Sequence, residues 1–362
     1  MKALAYILEA FKEPLAAREI VIPDLEPGQV LVKISAAGVC GSDLHIWKGE
    51  DPRSRLPMIL GHEGVGKIAA LKGKKLTVEG EELKEGDLIF WNRGVSCGHC
   101  YYCAVLKEPS LCHNRIVQGI NIPCTHAPYL NGCYAEYIVL QANTDIFLVP
   151  AGIDPAVLVA ASCSGATAAH GFDMIRPEPG EVVAIIGPGP LGLFAVAFAR
   201  AYGASTVILI GGSPARLEMG RQFGGTVILN RHEISKEKRW QIIRDLTHGR
   251  GVDLVVEAAG SAPALQEALE IVRPGGNVLS IGFSQPGGTF AFDGFQHLVQ
   301  KNIRLQGVWV SDTRHVYRAM AMILAQPELF ARMITHRFPL ARVDEALEVM
   351  DRKEAVKAVL IP

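Results

Sequence analysis

Glu181-Val182-Val183-Ala184-Ile185-Ile186 runs straight into Gly187-Pro188-Gly189-Pro190-Leu191-Gly192, and apolar residues at helical spacing continue to Tyr202. The first half has the continuous apolar character of a strand buried on both faces, and the second reads as a glycine turn that opens a helix. A glycine fingerprint alone says little, but between a buried strand and a helix it has a mechanism. Gly187, Gly189 and Gly192 let the chain turn and let a pyrophosphate approach the helix start at Pro190 and Leu191. There, free N–H groups and the helix dipole favour an anion.

Downstream the same alternation repeats. Apolar strands are predicted at 206–210, 227–229, 253–257 and 278–281, separated by helices at 214–223, 234–247 and 262–271. That pattern predicts an α/β fold with a doubly wound parallel sheet, the Rossmann type of dinucleotide-binding domain. Upstream, residues 1–150 alternate short β-rich runs with turns, as in Gln29-Val30-Leu31-Val32-Lys33-Ile34 after Pro27-Gly28 and Asp87-Leu88-Ile89-Phe90-Trp91 after Gly86. They suit a small barrel-like β domain. A segment around Gly80, with Thr77-Val78-Glu79 and Glu82-Leu83-Lys84 on its flanks, reads as a hairpin. Beyond residue 300 we expect a strand at 304–310, helices at 314–325 and 343–350, and a closing strand at 356–361. The expected division is 1–150, 151–300 and 301–362, the last segment returning to complete the first domain.

Composition narrows the function. Acidic and basic side chains nearly cancel, 37 against 36, which argues against nucleic acid or an anionic membrane surface as a partner. No apolar run approaches membrane-spanning length, and the opening residues read as a first strand closed by Glu9. Eight cysteines without a secretion signal point to metal thiolates in a reducing cytoplasm.

Two clusters carry metal chemistry. Gly38-Val39-Cys40-Gly41-Ser42-Asp43-Leu44-His45 offers a thiolate, a hydroxyl, a carboxylate and an imidazole, and Gly61-His62-Glu63-Gly64-Val65-Gly66 follows with a second imidazole. Cys97-Gly98-His99-Cys100-Tyr101-Tyr102-Cys103 with Cys112 supplies four thiolates at the spacing of a closed tetrahedral zinc site, a structural one. His99 and His113 are competing donors there, but soft thiolates suit zinc better. Cys124 and Cys133 read as ordinary small residues.

These motifs together, spread over the whole chain, resemble the zinc-containing medium-chain dehydrogenases, the superfamily of alcohol, threonine and sorbitol dehydrogenases. The resemblance implies a GroES-like catalytic domain and two zinc ions per chain. It also implies hydride transfer between an alcohol, secondary or polar, and NAD(P), giving the aldehyde or ketone. Cys40, His62 and Cys163 match the two-cysteine, one-histidine ligand set of the alcohol dehydrogenases' catalytic zinc, with Glu63 as an alternative ligand. Asp43 would orient His62, and Ser42 would pass the substrate proton toward His45. Thr167 matches a residue beside the nicotinamide, and Lys357 one that contacts the pyrophosphate. Arg93 falls where the alcohol dehydrogenases have an aromatic pocket residue, which would favour an anionic or strongly polar substrate. The resemblance further implies a homodimer or homotetramer. The loop to Cys112 is one residue longer than the family pattern, and the stretch between Gly66 and Gly86 is also longer. Two other classes share the fold, a catalytically silent binding protein and a quinone or enone reductase. Each would be expected to lack zinc ligands or relay residues that this chain keeps.

Cofactor choice is read at the end of the second strand, where NAD-specific folds place an acid. Here Gly211-Gly212-Ser213-Pro214 stands instead, leaving room for a 2′-phosphate that Arg216 would pair with. The expectation is NADP(H) preferred and NAD(H) accepted, with Gly211→Asp reversing the preference.

Overall fold

The computed structural model describes all residues from Met1 to Pro362. The chain divides into two units, one made of Met1–Cys163 with Ser311–Pro362 and the other of Ser164–Val310.

The first unit is built around the strand Val30–Val39. One edge of it pairs antiparallel with Gly64–Leu71, and the other edge pairs with Tyr137–Leu140 and then with Lys357–Ile361. Leu88–Trp91 and Ile146–Leu148 extend the sheet on one side and Ile334–Pro339 on the other. Two irregularities in register, at Leu31/Val32 and Ile34/Ala36, mark where the central strand bends, the usual effect of β-bulges. A smaller sheet carries Lys2–Leu8 between Ala16–Val21 and Met58–Ile59. The apolar faces meet in a core that includes Val30, Val32, Ile34, Ile138, Leu360 and the helix Val343–Asp351. Gly80 turns a tight hairpin with a single bridge, Leu76 to Glu82, short of a strand pair.

The second unit is a six-stranded sheet, parallel throughout. Its order is Val227–Asn230, Thr206–Gly211, Val182–Ile186, Val252–Glu257, Val272–Ser280 and Arg304–Gly307. Numbered along the chain this is 3-2-1-4-5-6, the doubly wound order in which a dinucleotide binds where the strand order reverses. Val183, Ala184 and Ile185 are wholly buried, as a strand covered on both faces requires.

Two boundaries differ from those expected. Arg304–Gly307 pairs parallel with Val272–Ser280 and so extends the second unit's sheet, and the return to the first unit falls at Ser311. Cys163 closes the first unit's long segment. No helix is long and apolar enough to cross a membrane.

Candidate active site and nucleotide cradle

Three adjacent strands bring the first cluster together. The central strand ends at Val39 and delivers Cys40. Gly64 pairs with Ala37 on one side, placing His62 and Glu63 alongside, and Ala358 pairs with Val39 on the other, placing Lys357 there. The Gly38 N–H donates to the Glu63 carbonyl at 2.8 Å, locking the two approaches. Cys163 follows the short turn Val159–Ser162 and precedes the helix Ser164–Met174. The ligand atoms of Cys40, His62, Glu63 and Cys163 all lie within 4.8 Å of one another, a span that one metal ion could take.

The donor set fits that use. His62 faces Asp43 through Nδ1, at 3.2 Å, while its buried Nε2 has no partner in the protein. Burial draws the imidazole down, but the Asp43 carboxylate outweighs it and raises the group to about 9. Asp43 is wholly buried and also accepts from the Cys40 and Gly61 N–H groups and the Tyr134 hydroxyl, at 2.8, 3.3 and 3.1 Å. Together with the positive charges of His62 and Lys357, these bonds overcome burial and hold Asp43 below the usual carboxylate range. The Cys40 and Cys163 sulfurs are 3.7 Å apart. Their shared hydrogen bond raises Cys40 and lowers Cys163. Two sulfurs and an orphaned imidazole nitrogen suit zinc.

Ser42 and His45 lie three residues apart on the helix Gly41–Trp47, hence on one face. The Ser42 hydroxyl is 4.0 Å from the Cys40 sulfur, and His45 Nδ1 meets Glu50 at 2.7 Å near the surface. This short helix was not foreseen in the sequence. Its N-cap is Cys40, and Asp43 closes it by accepting the Cys40 N–H.

Lys357 has a partner that spacing could not reveal. It is buried, and its ammonium pairs with the Glu63 carboxylate within the first unit. A Cβ at Gly38 would collide with Glu63 Oε2 and lie 3.1 Å from Lys357 Cε, so glycine there makes room for the pair.

In the second cluster the sulfurs of Cys97, Cys100, Cys103 and Cys112 also lie within 4.8 Å of one another. The His99 and Cys100 N–H groups point at the Cys97 sulfur and pull its thiol down to about 6, favouring the thiolate that a metal needs. His99 turns to its own loop, with Nδ1 on the Cys97 carbonyl at 2.8 Å, and the His113 ring packs at a tilt against Tyr102. The turn Pro109–Leu111 leads into Cys112. Cys133 packs where a side chain at Gly64 would fall, and Cys124 stands apart from both clusters.

In the second unit, Gly187 has a positive φ of 114° and backs onto Ala258 and Ala259, with 2.9 Å left for a Cβ, so only glycine fits. Gly189 caps the helix Pro190–Ala201 and faces open space. A Cβ at Gly192 would strike the Gly187 carbonyl. Leu191 stands in the helix's first turn, where backbone N–H groups lack intrahelical acceptors. This cradle fits a pyrophosphate. Thr167 lies in the first turn of Ser164–Met174.

At the end of the neighbouring strand, a Cβ on Gly211 would come within 2.6 Å of Pro188 Cδ. An aspartate at Gly211 would therefore have to displace the fingerprint's own proline ring, which fills the space that the new side chain's first carbon needs. The register Gly211–Asn230 carries the next residues, Arg231 and His232, to Gly212. Arg231 Nε would lie 3.0 Å and His232 Cδ2 2.7 Å from a Cβ on that glycine. Arg216, on the helix Pro214–Gln222 that Ser213 caps, is half-buried. Arg231 and His232 escaped the sequence reading because only the parallel register brings them to Gly212.

Residues 26–151 match the alcohol dehydrogenase GroES-like domain, and residues 190–326 match the zinc-binding dehydrogenase family. Over 348 residues the chain is 33% identical to 5-exo-hydroxycamphor dehydrogenase of Pseudomonas putida, covering 94% of each chain. It belongs to the zinc-dependent medium-chain dehydrogenase family. An alcohol dehydrogenase structure from Thermotoga maritima superimposes with a TM-score of 0.97 at 47% identity, covering 100% of both chains. A zinc-binding dehydrogenase from Sinorhizobium meliloti, bound to NADP, gives 0.85 at 26% identity and the same coverage. As in this family, the chain is an oxidoreductase that interconverts an alcohol and its carbonyl with NAD(P), on a GroES-like catalytic fold and a Rossmann sheet.

Proposed function

We propose that Cys40, His62 and Cys163 hold a catalytic zinc, that Cys97, Cys100, Cys103 and Cys112 hold a structural one, and that the enzyme oxidises secondary or polar alcohols with NADP(H) preferred. The observation that carries the catalytic assignment is the buried, unpartnered Nε2 of His62 beside the paired sulfurs. A zinc ion there supplies a Lewis acid that eases loss of the alcohol proton. Asp43 fixes the His62 tautomer so that Nε2 presents its lone pair. Lys357 holds the Glu63 carboxylate back, leaving that acid as a reserve ligand. The Ser42 hydroxyl takes the substrate proton as it passes its own on, and His45 receives it on the same helix face, where its Nδ1 meets Glu50 near solvent.

The test is a panel of alcohols and carbonyls followed by the absorbance of the reduced nicotinamide, with zinc measured on the same sample. Two zinc ions per chain and steady turnover are expected; a protein that stays at one or none after zinc supplementation would sink the two-site reading. Ser42→Ala should lower kcat by about 100-fold and His45→Ala by about tenfold or less, because solvent can replace a surface acceptor but not the first hydroxyl. Equal, small effects would mean that water alone removes the proton.

Preference for NADP(H) is supported by the missing acid at Gly211 and the cations gathered near Gly212. A 2′-phosphate there would meet Arg231 and His232, with Arg216 on the adjoining helix. Arg231→Ala combined with Arg216→Ala should shift the kcat/KM ratio of NADP to NAD by about tenfold or more toward NAD. A wild type that clearly prefers NAD, with no change in the double variant, would remove these residues as selectors. The NAD(H) reaction remains accessible because no group excludes the ribose diol.

Association into a homodimer or homotetramer is part of the same reading. The outer edge of the parallel sheet, Arg304–Gly307, leaves Leu305 exposed, and Phe295 and Val299 before it are 63% and 68% exposed. Such an edge invites pairing with a second copy.

A further inference from the structure

Buried cations in this protein are answered, with one exception. Lys357 pairs with Glu63, Arg239 with Glu267 at 2.6 Å, and Arg115 donates to the Ser311 carbonyl at 2.8 Å. Partly buried Arg53 is held by Asp51 at 2.6 Å. Arg93 is only 4% exposed, yet no carboxylate or carbonyl meets its guanidinium, and its Nε is buried without a partner. An unanswered buried charge is costly, so a protein that keeps one has a use for it when something else arrives.

The position of Arg93 says where that use lies. It stands two residues beyond the strand Leu88–Trp91, whose Phe90 pairs with Val65 just after His62 and Glu63. A Cβ on Gly64 would lie 2.5 Å from the Trp91 ring, so this strand end presses on the segment that delivers His62. The charge of Arg93 is felt at both His62 and Cys163. It is also reinforced, because Arg115 fills the space beside Gly94, 2.5 Å from a Cβ there, and burial together with the charge of Arg93 draws the Arg115 guanidinium down to about 10. The Arg93 guanidinium thus stands near the reactive centre, and the acids of that centre are already engaged, Glu63 by Lys357 and Asp43 by His62.

Resting on the dehydrogenase reading above, we infer that Arg93 is a specificity residue that binds an anionic group on the substrate, making the preferred class hydroxy acids or hydroxyalkyl phosphonates over neutral alcohols. The shared chemistry is an oxyanion with two oxygens to offer. The free Nε edge of a guanidinium binds such a group with paired, charge-assisted hydrogen bonds, which a lysine cannot match in geometry. The anion fills the role that no protein group fills.

Matched substrates test this on the zinc-loaded enzyme with NADP: 3-hydroxybutyrate and 2-hydroxypropylphosphonate, each against 2-butanol. The wild type should favour at least one anionic member by about tenfold or more in kcat/KM, and Arg93→Gln should collapse that ratio by about tenfold, chiefly through KM. Arg93→Lys should restore part of it. The two anions separate a carboxylate from a phosphorus oxyanion as the natural group. Calorimetric binding of 3-methylbutyrate, which has no hydroxyl to oxidise, gives a second readout that should weaken in Arg93→Gln even if turnover is slow. A wild type that favours 2-butanol, or an anionic-to-neutral ratio unmoved by Arg93→Gln with unchanged 3-methylbutyrate binding, overturns the inference. Either result leaves the dehydrogenase reading standing so long as 2-butanol is oxidised. Absence of turnover on every alcohol in the panel would instead remove that reading.

Discussion

Replacing Cys40 with alanine is expected to abolish turnover, by roughly a thousandfold or more, while the protein stays folded. The magnitude follows from losing the several kcal/mol with which a Lewis acid stabilises developing charge. The fold should survive because Cys40 ends a strand that is paired on both edges by backbone bonds, with Asp43 still capping the following helix through the residue-40 N–H. Elemental analysis should show one zinc lost per chain and the other kept. Acidification of the wild type should release the same ion, since thiolates and a neutral imidazole are needed to hold it and protons compete for each. If Cys40→Ala kept near-normal turnover, this cluster would not be the catalytic centre.

Cys100→Ala should do the opposite, acting first on stability. The segment from Cys97 to Cys112 has little core of its own; the helix Tyr101–Ala104 contains no buried residue, and Tyr101, Val105, Leu106 and Leu111 are exposed. On the proposed reading a metal would hold this segment, and structural zinc contributes an apparent 10–16 kcal/mol, roughly, to the folding of small zinc peptides. Losing even about 3 kcal/mol lowers Tm by on the order of 10 °C in a unit of this size. Calorimetry and limited proteolysis would read it, with cleavage expected between residues 97 and 112. An unchanged melting curve, with both zinc ions retained, would mean that the four thiols are not a structural site.

The Rossmann sheet was legible because its inner strands are apolar runs with helices between them, and the fingerprint sits where strand and helix meet. Its last strand misled for the same reason. Arg304–Gly307 lies at the sheet edge, carries exposed polar residues, and nothing in its pattern separates it from the segment that follows. The four-cysteine cluster could be read from spacing, since its ligands lie close in the chain and need no long-range geometry. The place of Cys163 beside Cys40 and His62 needed the family resemblance, because a cysteine in an alanine-rich stretch has no local mark of a ligand. The partners that decide electrostatics were out of reach. Glu63 and Lys357 meet through strand pairing across most of the chain's length, and Arg231 and His232 meet Gly212 only through register. The consequence of the proline between Gly187 and Gly189 was hidden as well, for a ring that looks neutral in sequence blocks a side chain on the neighbouring strand.

The close fit of Gly38 against Glu63 and Lys357 bears on how this enzyme can change over generations. The three positions are locked by volume and charge, so none can drift alone. Any larger residue at 38 must evict the carboxylate, and an evicted Glu63 leaves the Lys357 ammonium buried without its counter-ion. A lineage that loses Glu63 first strands the same cation, and one that loses Lys357 first strands the acid beside the ligand cluster. Descendants are therefore expected to keep the trio or to replace acid and base together.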